Sequence, residues 1–189
     1  TPGDFVAESR VRIDAIPYTD GVGCRLLDPA GVYAHVLSHG TLTIASSTTF
    51  RKSAWQKAGG FDKTLRVAWD ADISLKLTTV GPLAYIPEPI GEYRLHAANT
   101  SAQGTTTLRE VLALKQRHLD RPLHPIDGEM LRLELREGYF GLAYAESQRG
   151  NLRASWRALG SARRYGLGQA KWAIESIKAA LRAARPNHG

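Results

Sequence analysis

Two aspartates stand two residues apart in the stretch "RVAWDADISLKL", where Asp70 and Asp72 directly follow Trp69 and head an apolar run at helical spacing, Ile73, Leu77 and Val80. Carboxylates so placed have three uses. One can cap a helix by accepting backbone N–H groups. The pair can hold Mg²⁺ or Mn²⁺ against phosphates as an Asp-x-Asp site. One can also serve as a general base that takes a proton from a hydroxyl. Taken by themselves, the residues fit the cap best.

The elements around them decide what the pair can reach. Helical period runs from Asp70 to the stop at Gly81-Pro82. Upstream, Ser53 is expected to cap a helix of about two turns that Gly59 and Gly60 end, letting Phe61 enter the core. "RVRIDAI" alternates, with Val11, Ile13 and Ala15 on one face of an extended segment. "RLLDPAGVYAHV" predicts a hairpin turning at Asp28-Pro29-Ala30-Gly31, and "TLTIASSTTF" reads as a β-rich run. Downstream, "LAYI" is a strand candidate, and "PEPIGEYRLHAANTSA" is a loop around one extended core, residues 92–96.

Beyond residue 105 the signals are helical. Thr107 and Glu110 have the spacing of a capping box, and "DRPLHPID" breaks the helix that follows. A second helix is expected over about 127–149, a turn at Gly150-Asn151, and a third helix over 152–163. "GYFGLAYAESQRGNLRASWRALGSA" resembles a single tetratricopeptide-type hairpin, with small Ala143 and Ala154 where two helices approach. A repeat array needs about three such units, so this is an appended hairpin and not a solenoid. A last helix over about 169–184, stopped by Pro186, sets Ala173, Ile177, Ala180, Leu181 and Ala184 against Lys171, Lys178, Arg182 and Arg185.

Composition narrows the classes. A chain of 189 residues with 43% hydrophobic content can bury a core. Its one cysteine, Cys24, excludes an internal disulfide and a zinc cluster and fits a reducing compartment. No stretch approaches the roughly 20 apolar residues of a membrane span, and Thr1 opens neither a signal nor a transit peptide. The net charge of +7 is uneven: residues 1–100 hold ten basic and ten acidic groups, whereas residues 147–189 hold nine basic groups against Glu175 alone. Such a tail is a solvated helix face or a docking surface for an anionic membrane. It lacks the Gly-rich or aromatic pattern of an RNA reader, so nucleic acid is not an expected partner.

The ordered set of motifs over residues 46–101 resembles the C-terminal part of the catalytic domain of family 2 glycosyltransferases, which have the GT-A fold. The matching elements are Arg51 and Lys52, Gly59-Gly60-Phe61-Asp62, Asp70 with Asp72, Pro87 and Pro89, and Tyr93-Arg94-Leu95-His96 followed by Ser101. The resemblance implies an α/β fold, or α+β if only this half is present, followed by an α-helical extension. It places a partial GT-A domain at residues 1–105 and the extension at 106–189.

The resemblance also implies roles. Such enzymes transfer a sugar from a nucleotide-diphosphate donor to an acceptor hydroxyl with inversion, and the position of their general base matches Asp70. Trp69 stands where many members have Glu, which reduces the local acidic pair. Trp69 lines an acceptor subsite or merely packs, and Asp72 matches a second acidic position that anchors the helix or the acceptor loop. Arg94 and His96 fall on the segment that folds over the donor diphosphate, where a guanidinium suits phosphate and an imidazole suits Mn²⁺. A divalent metal, Mn²⁺ or Mg²⁺, is implied, with its main Asp-x-Asp ligands in the family's nucleotide-binding half.

That half is not found in the sequence. The likeness covers roughly residues 10–105, the acceptor side only. The implied partners are a nucleotide-sugar donor, a glycan or lipid-linked acceptor in polysaccharide biosynthesis, and an anionic membrane through the basic C-terminal helix. The implied location is cytoplasmic, or peripheral at the inner face of the membrane. The competing expectation is a non-catalytic helical interaction module that carries a remnant transferase half. Lacking the donor half, residues 1–189 alone are expected not to transfer sugar, and transfer by the purified chain refutes this.

Overall fold

A computed structural model describes residues 13–43, 45–89, 104–166, 168, 171–172 and 174–178. The elements are β1 (Tyr18–Gly21), β2 (Cys24–Leu27), α1 (Pro29–His39), a 3-10 turn (Ala45–Ser47), α2 (Lys52–Lys57), α3 (Trp69–Leu77), β3 (Leu83–Tyr85), α4 (Thr105–Asp120), α5 (Gly128–Gln148) and α6 (Leu152–Arg164). They form two compact units. The first takes Thr1–Ala97 together with Pro122–Ile126, and the second takes Ala98–Arg121 with Asp127–Gly189.

In the first unit an antiparallel sheet of order β1-β2-β3 pairs Tyr18 with Leu27 and Leu27 with Leu83. Its hairpin turns at Val22-Gly23, where Gly23 takes φ 67, a region that glycine enters without steric cost. The hairpin predicted at Asp28-Pro29-Ala30-Gly31 is therefore corrected. Those residues instead start α1, because the Asp28 carboxylate accepts from the Gly31 N–H at 2.7 Å and Pro29 fills a first-turn position that needs no N–H donor. Turn and helix start draw on the same residue types, so composition does not separate them.

Two other expectations change. Ile16 N–H donates to the Ile13 carbonyl at 3.0 Å, so this segment turns and does not extend, and Ile13 and Ile16 both reach the core. Val11 lies outside the described residues. Among the described residues of 41–50 no strand forms. Their hydroxyls bond locally, as in the 3.2 Å contact of Thr43 with Thr48, and such bonds compete with a ladder.

α1 buries Val32, Tyr33, Val36 and Leu37 and packs on α3, which itself buries Ile73 and Leu75. The segment expected only to break a helix returns to this unit as a strap. Leu123 N–H donates to the Tyr33 hydroxyl at 3.0 Å, and His124 Nε2 lies 2.9 Å from Thr78 Oγ1. These contacts are why Pro122–Ile126 belongs to the first unit, although it lies between two helices of the second in sequence.

The second unit is a helical bundle. α4 begins at Thr105 after Gly104, two residues ahead of the capping box expected at Thr107. α5 is capped by Asp127, whose carboxylate accepts from Glu129 and Met130, and α6 by Asn151. α5 and α6 approach closely on small residues: Ser155 Oγ donates to the Ala143 carbonyl at 2.8 Å, both buried, beside Ala158 and Ala162. Of the last predicted helix, residues 171–172 and 174–178 are helical, and the rest lies outside the described residues. Among the described residues no helix is long and apolar enough to cross a membrane.

Leu135 is 0% exposed on α5, whereas Met130 on the same helix is 46% exposed. Leu135→Ala is expected to cost about 2–5 kcal/mol in denaturant unfolding, and Met130→Ala under about 1.

Candidate functional site

The candidate site is assembled from α2, the glycine turn after it, and α3. Gly59 and Gly60 take φ 85 and 70, conformations that a side chain would strain. Gly60 is doubly constrained, because a Cβ there would lie 3.0 Å from the Trp55 ring. The turn does not carry Phe61 into the core as the sequence suggested. Phe61 is 40% exposed and forms the hub of an aromatic cluster, with Trp69 edge-on at 5.4 Å and 89°, Trp55 at 5.8 Å and Phe50 at 5.9 Å. Edge-to-face rings at these distances attract beyond their area burial. Asp62 closes the turn by accepting from Thr64 N–H at 2.9 Å and from Thr64 Oγ1 at 2.6 Å.

α3 places the two aspartates differently. Asp70 and Asp72 are two residues apart on one helix, so their side chains leave its axis about 200° apart and do not converge on a single cation. The Asp-x-Asp reading of this pair fails on that geometry. Among the described residues no group of three or more His, Cys, Asp or Glu is gathered that could hold a metal.

Asp72 is 0% exposed, and its Oδ2 lies 2.5 Å from Lys76 Nζ one turn on, a contact held by charge more than by hydrogen-bond alignment. Lys76 Nζ also donates to the Gly60 carbonyl at 3.3 Å. Asp72 therefore offers no exposed surface to an acceptor in this structure, and its charge is met within α3.

Asp70 is half-buried. It is not the N-cap, a place that falls to Ala68, which offers no side-chain acceptor. The Asp70 Oδ1 accepts from the Ala71 N–H at 2.8 Å, and Ser74 Oγ donates to the Asp70 carbonyl at 2.7 Å. Burial pushes the Asp70 carboxyl above its ordinary 3.8, against the lowering effect of the backbone N–H groups of Ala71 and Asp70. Among the described residues no cation pairs with it. Trp69 packs edge-on to Phe61 while staying partly exposed beside Asp70. Arg94 and His96, expected at the donor diphosphate and metal, lie outside the described residues.

Lys76 escaped the sequence reading although its spacing from Asp72, i to i+4, is a legible signal. The role of Phe61 had no such signal, since a hub of four rings is defined only in space. Comparison with models of protein families, with curated proteins and with solved structures returns no match.

Replacing Lys76 by Met removes this cation from the buried Asp72 carboxylate. The expected cost is about 2–3 kcal/mol in urea unfolding, below the 3–5 of a fully buried pair because 25% of the Lys76 side chain reaches water. Asp72→Asn added to Lys76→Met is expected to restore part of that loss, and a double variant no more stable than Lys76→Met contradicts the account.

Proposed function

We propose that the first unit is the acceptor-side half of an inverting nucleotide-sugar transferase, with Asp70 as its general base. The observation that carries the reading is the contrast within one helix turn. Asp72 is neutralised and buried, while Asp70 is half-exposed, unpaired by any cation among the described residues, and raised in pKa by burial. A base must have a lone pair within hydrogen-bond reach of the hydroxyl it serves and a pKa nearer the working pH than that of a free carboxylate. The order of the motifs from Arg51 to Asp72 supports the same reading.

The chemistry is a single displacement. The acceptor oxygen forms its bond to the anomeric carbon as the bond from that carbon to the diphosphate oxygen breaks. The hydroxyl proton passes to Asp70, and the nucleoside diphosphate leaves from the opposite face. Trp69, edge-on to Phe61, offers the flat apolar wall beside the base on which a sugar ring can rest. The donor and its metal belong to the nucleotide-binding half, which the reading places outside residues 1–189.

The test is Asp70→Asn in the polypeptide that carries both halves. The expected result is a fall in kcat of about 10²–10⁴-fold with the unfolding midpoint at neutral pH not lowered. Activity within a few-fold of the parent overturns the base role. The pH dependence has a fixed sign. Because the folded state raises the Asp70 pKa above 3.8, the rate is lost as pH falls through that raised value, and the acid limb lies above the ordinary aspartate range. Stability runs the other way. The contribution from neutral Asp70 is present below 3.8 and is lost as pH rises through the folded pKa, and Asp70→Asn removes that slope.

A further inference from the structure

The second unit contains a cleft of about 540 Å³ between α4, α5 and α6, lined by Arg109, Tyr139, Leu142, Asn151, Arg153 and Arg157 among others. That volume is within the range of small-molecule sites, roughly 300–1,000 Å³. Three guanidinium groups line it. Arg109 is met by the buried Glu146, with Nη2 and Oε1 2.6 Å apart. Arg153 and Arg157 have no ion-pair partner among the described residues, and α6, "LRASWRALGSARR", holds no acid at all.

Two like charges one turn apart on a helix repel, and nothing in α6 offsets them. An anion of charge near −2 would offset both. Guanidinium forks match the oxygens of phosphate in pairs, whereas a single carboxylate would leave half of the excess in place. The rest of the lining is suited to a ligand with an uncharged part. Leu142 and Ala158 are apolar and buried, and Tyr139, whose pKa burial raises, keeps its hydroxyl as a donor.

We propose that this cleft binds a phosphate-bearing anion through Arg153 and Arg157, with Arg109 completing the wall. The inference is independent of the transferase reading. Two sources share the chemistry, a soluble diphosphate and the headgroup of an anionic lipid. Trp156, 54% exposed on α6 between the two arginines in sequence, bears on the second, because an amphipathic ring suits the membrane–water boundary.

The experiment titrates the purified chain at fixed ionic strength with inorganic pyrophosphate, followed by calorimetry. In parallel the chain is sedimented with vesicles of phosphatidylglycerol in phosphatidylcholine and of phosphatidylcholine alone. The Arg153→Gln/Arg157→Gln double variant changes exposed residues only, and circular dichroism checks its fold. Its affinity is expected to fall about tenfold or more, the loss of at least one charge-assisted contact. Arg163→Gln, on the same helix but outside the cleft lining, is expected to change affinity by less than about threefold, one screened charge. Pyrophosphate binding with this pattern assigns a soluble phosphate, and the pattern with the anionic vesicles alone assigns a lipid headgroup. Failure of both probes, or an equal loss in Arg163→Gln, overturns the proposal.

Discussion

A carboxylate that folding removes from water must be met by positive charge, and in the first unit that constraint is the Asp72–Lys76 pair. Lys76 answers it from one turn away on α3 and, with the same ammonium, holds the Gly60 carbonyl. One cation thus ties the first turn of the helix to the turn that precedes it. With that junction fixed, Ile73 and Leu75 are buried in the unit, and Asp70 is left partly exposed. The exposure of the candidate base is a consequence of the burial of its neighbour.

The aromatic cluster follows from the same junction. Gly59 and Gly60 are needed because the chain must reverse through positive φ, and Gly60 also because the Trp55 ring lies against its Cα. This reversal delivers Phe61 to a place where three rings meet it at 5.4 to 5.9 Å. Trp69 is held by one of these contacts, so the residue next to Asp70 is positioned by ring packing while the helix axis is positioned by charge. A substitution that loosens either constraint moves Trp69 relative to Asp70 without touching Asp70 itself.

How much of this was legible depended on whether the signal was local. The helix over Asp70, the strand at "LAYI", and the helices beginning near residues 127 and 152 rest on period and caps, and each appears within a residue or two, apart from the α3 end at Leu77. Asp28-Pro29 was misread because an Asx-Pro pair serves a turn and a helix start equally, and only the position of its partners decides. The strap at Pro122–Ile126 was invisible for a different reason. Prolines announce where a helix stops, but nothing in "PLHPI" states that Tyr33, about ninety residues earlier, will accept its N–H. At the site, sequence located both aspartates but not that one is buried and the other partly exposed, since burial is a property of the assembled unit.

The charge of the second unit is not a requirement of its packing. α6 meets its neighbour through Ser155, Ala158, Leu159 and Ala162, a stripe of mostly small residues that lets the Ser155 hydroxyl reach the Ala143 carbonyl. That interface would be as well made with a neutral or mixed outer face. The opposite face instead carries Arg153, Arg157, Arg163 and Arg164, with Trp156 among them and no acid on the helix. Mixed charges at i, i+4 stabilise an exposed helix, and a run of one sign does the reverse. The folded hairpin therefore carries a small electrostatic cost that its own contacts do not offset, and an anion bound at the arginines of its cleft is the arrangement that would.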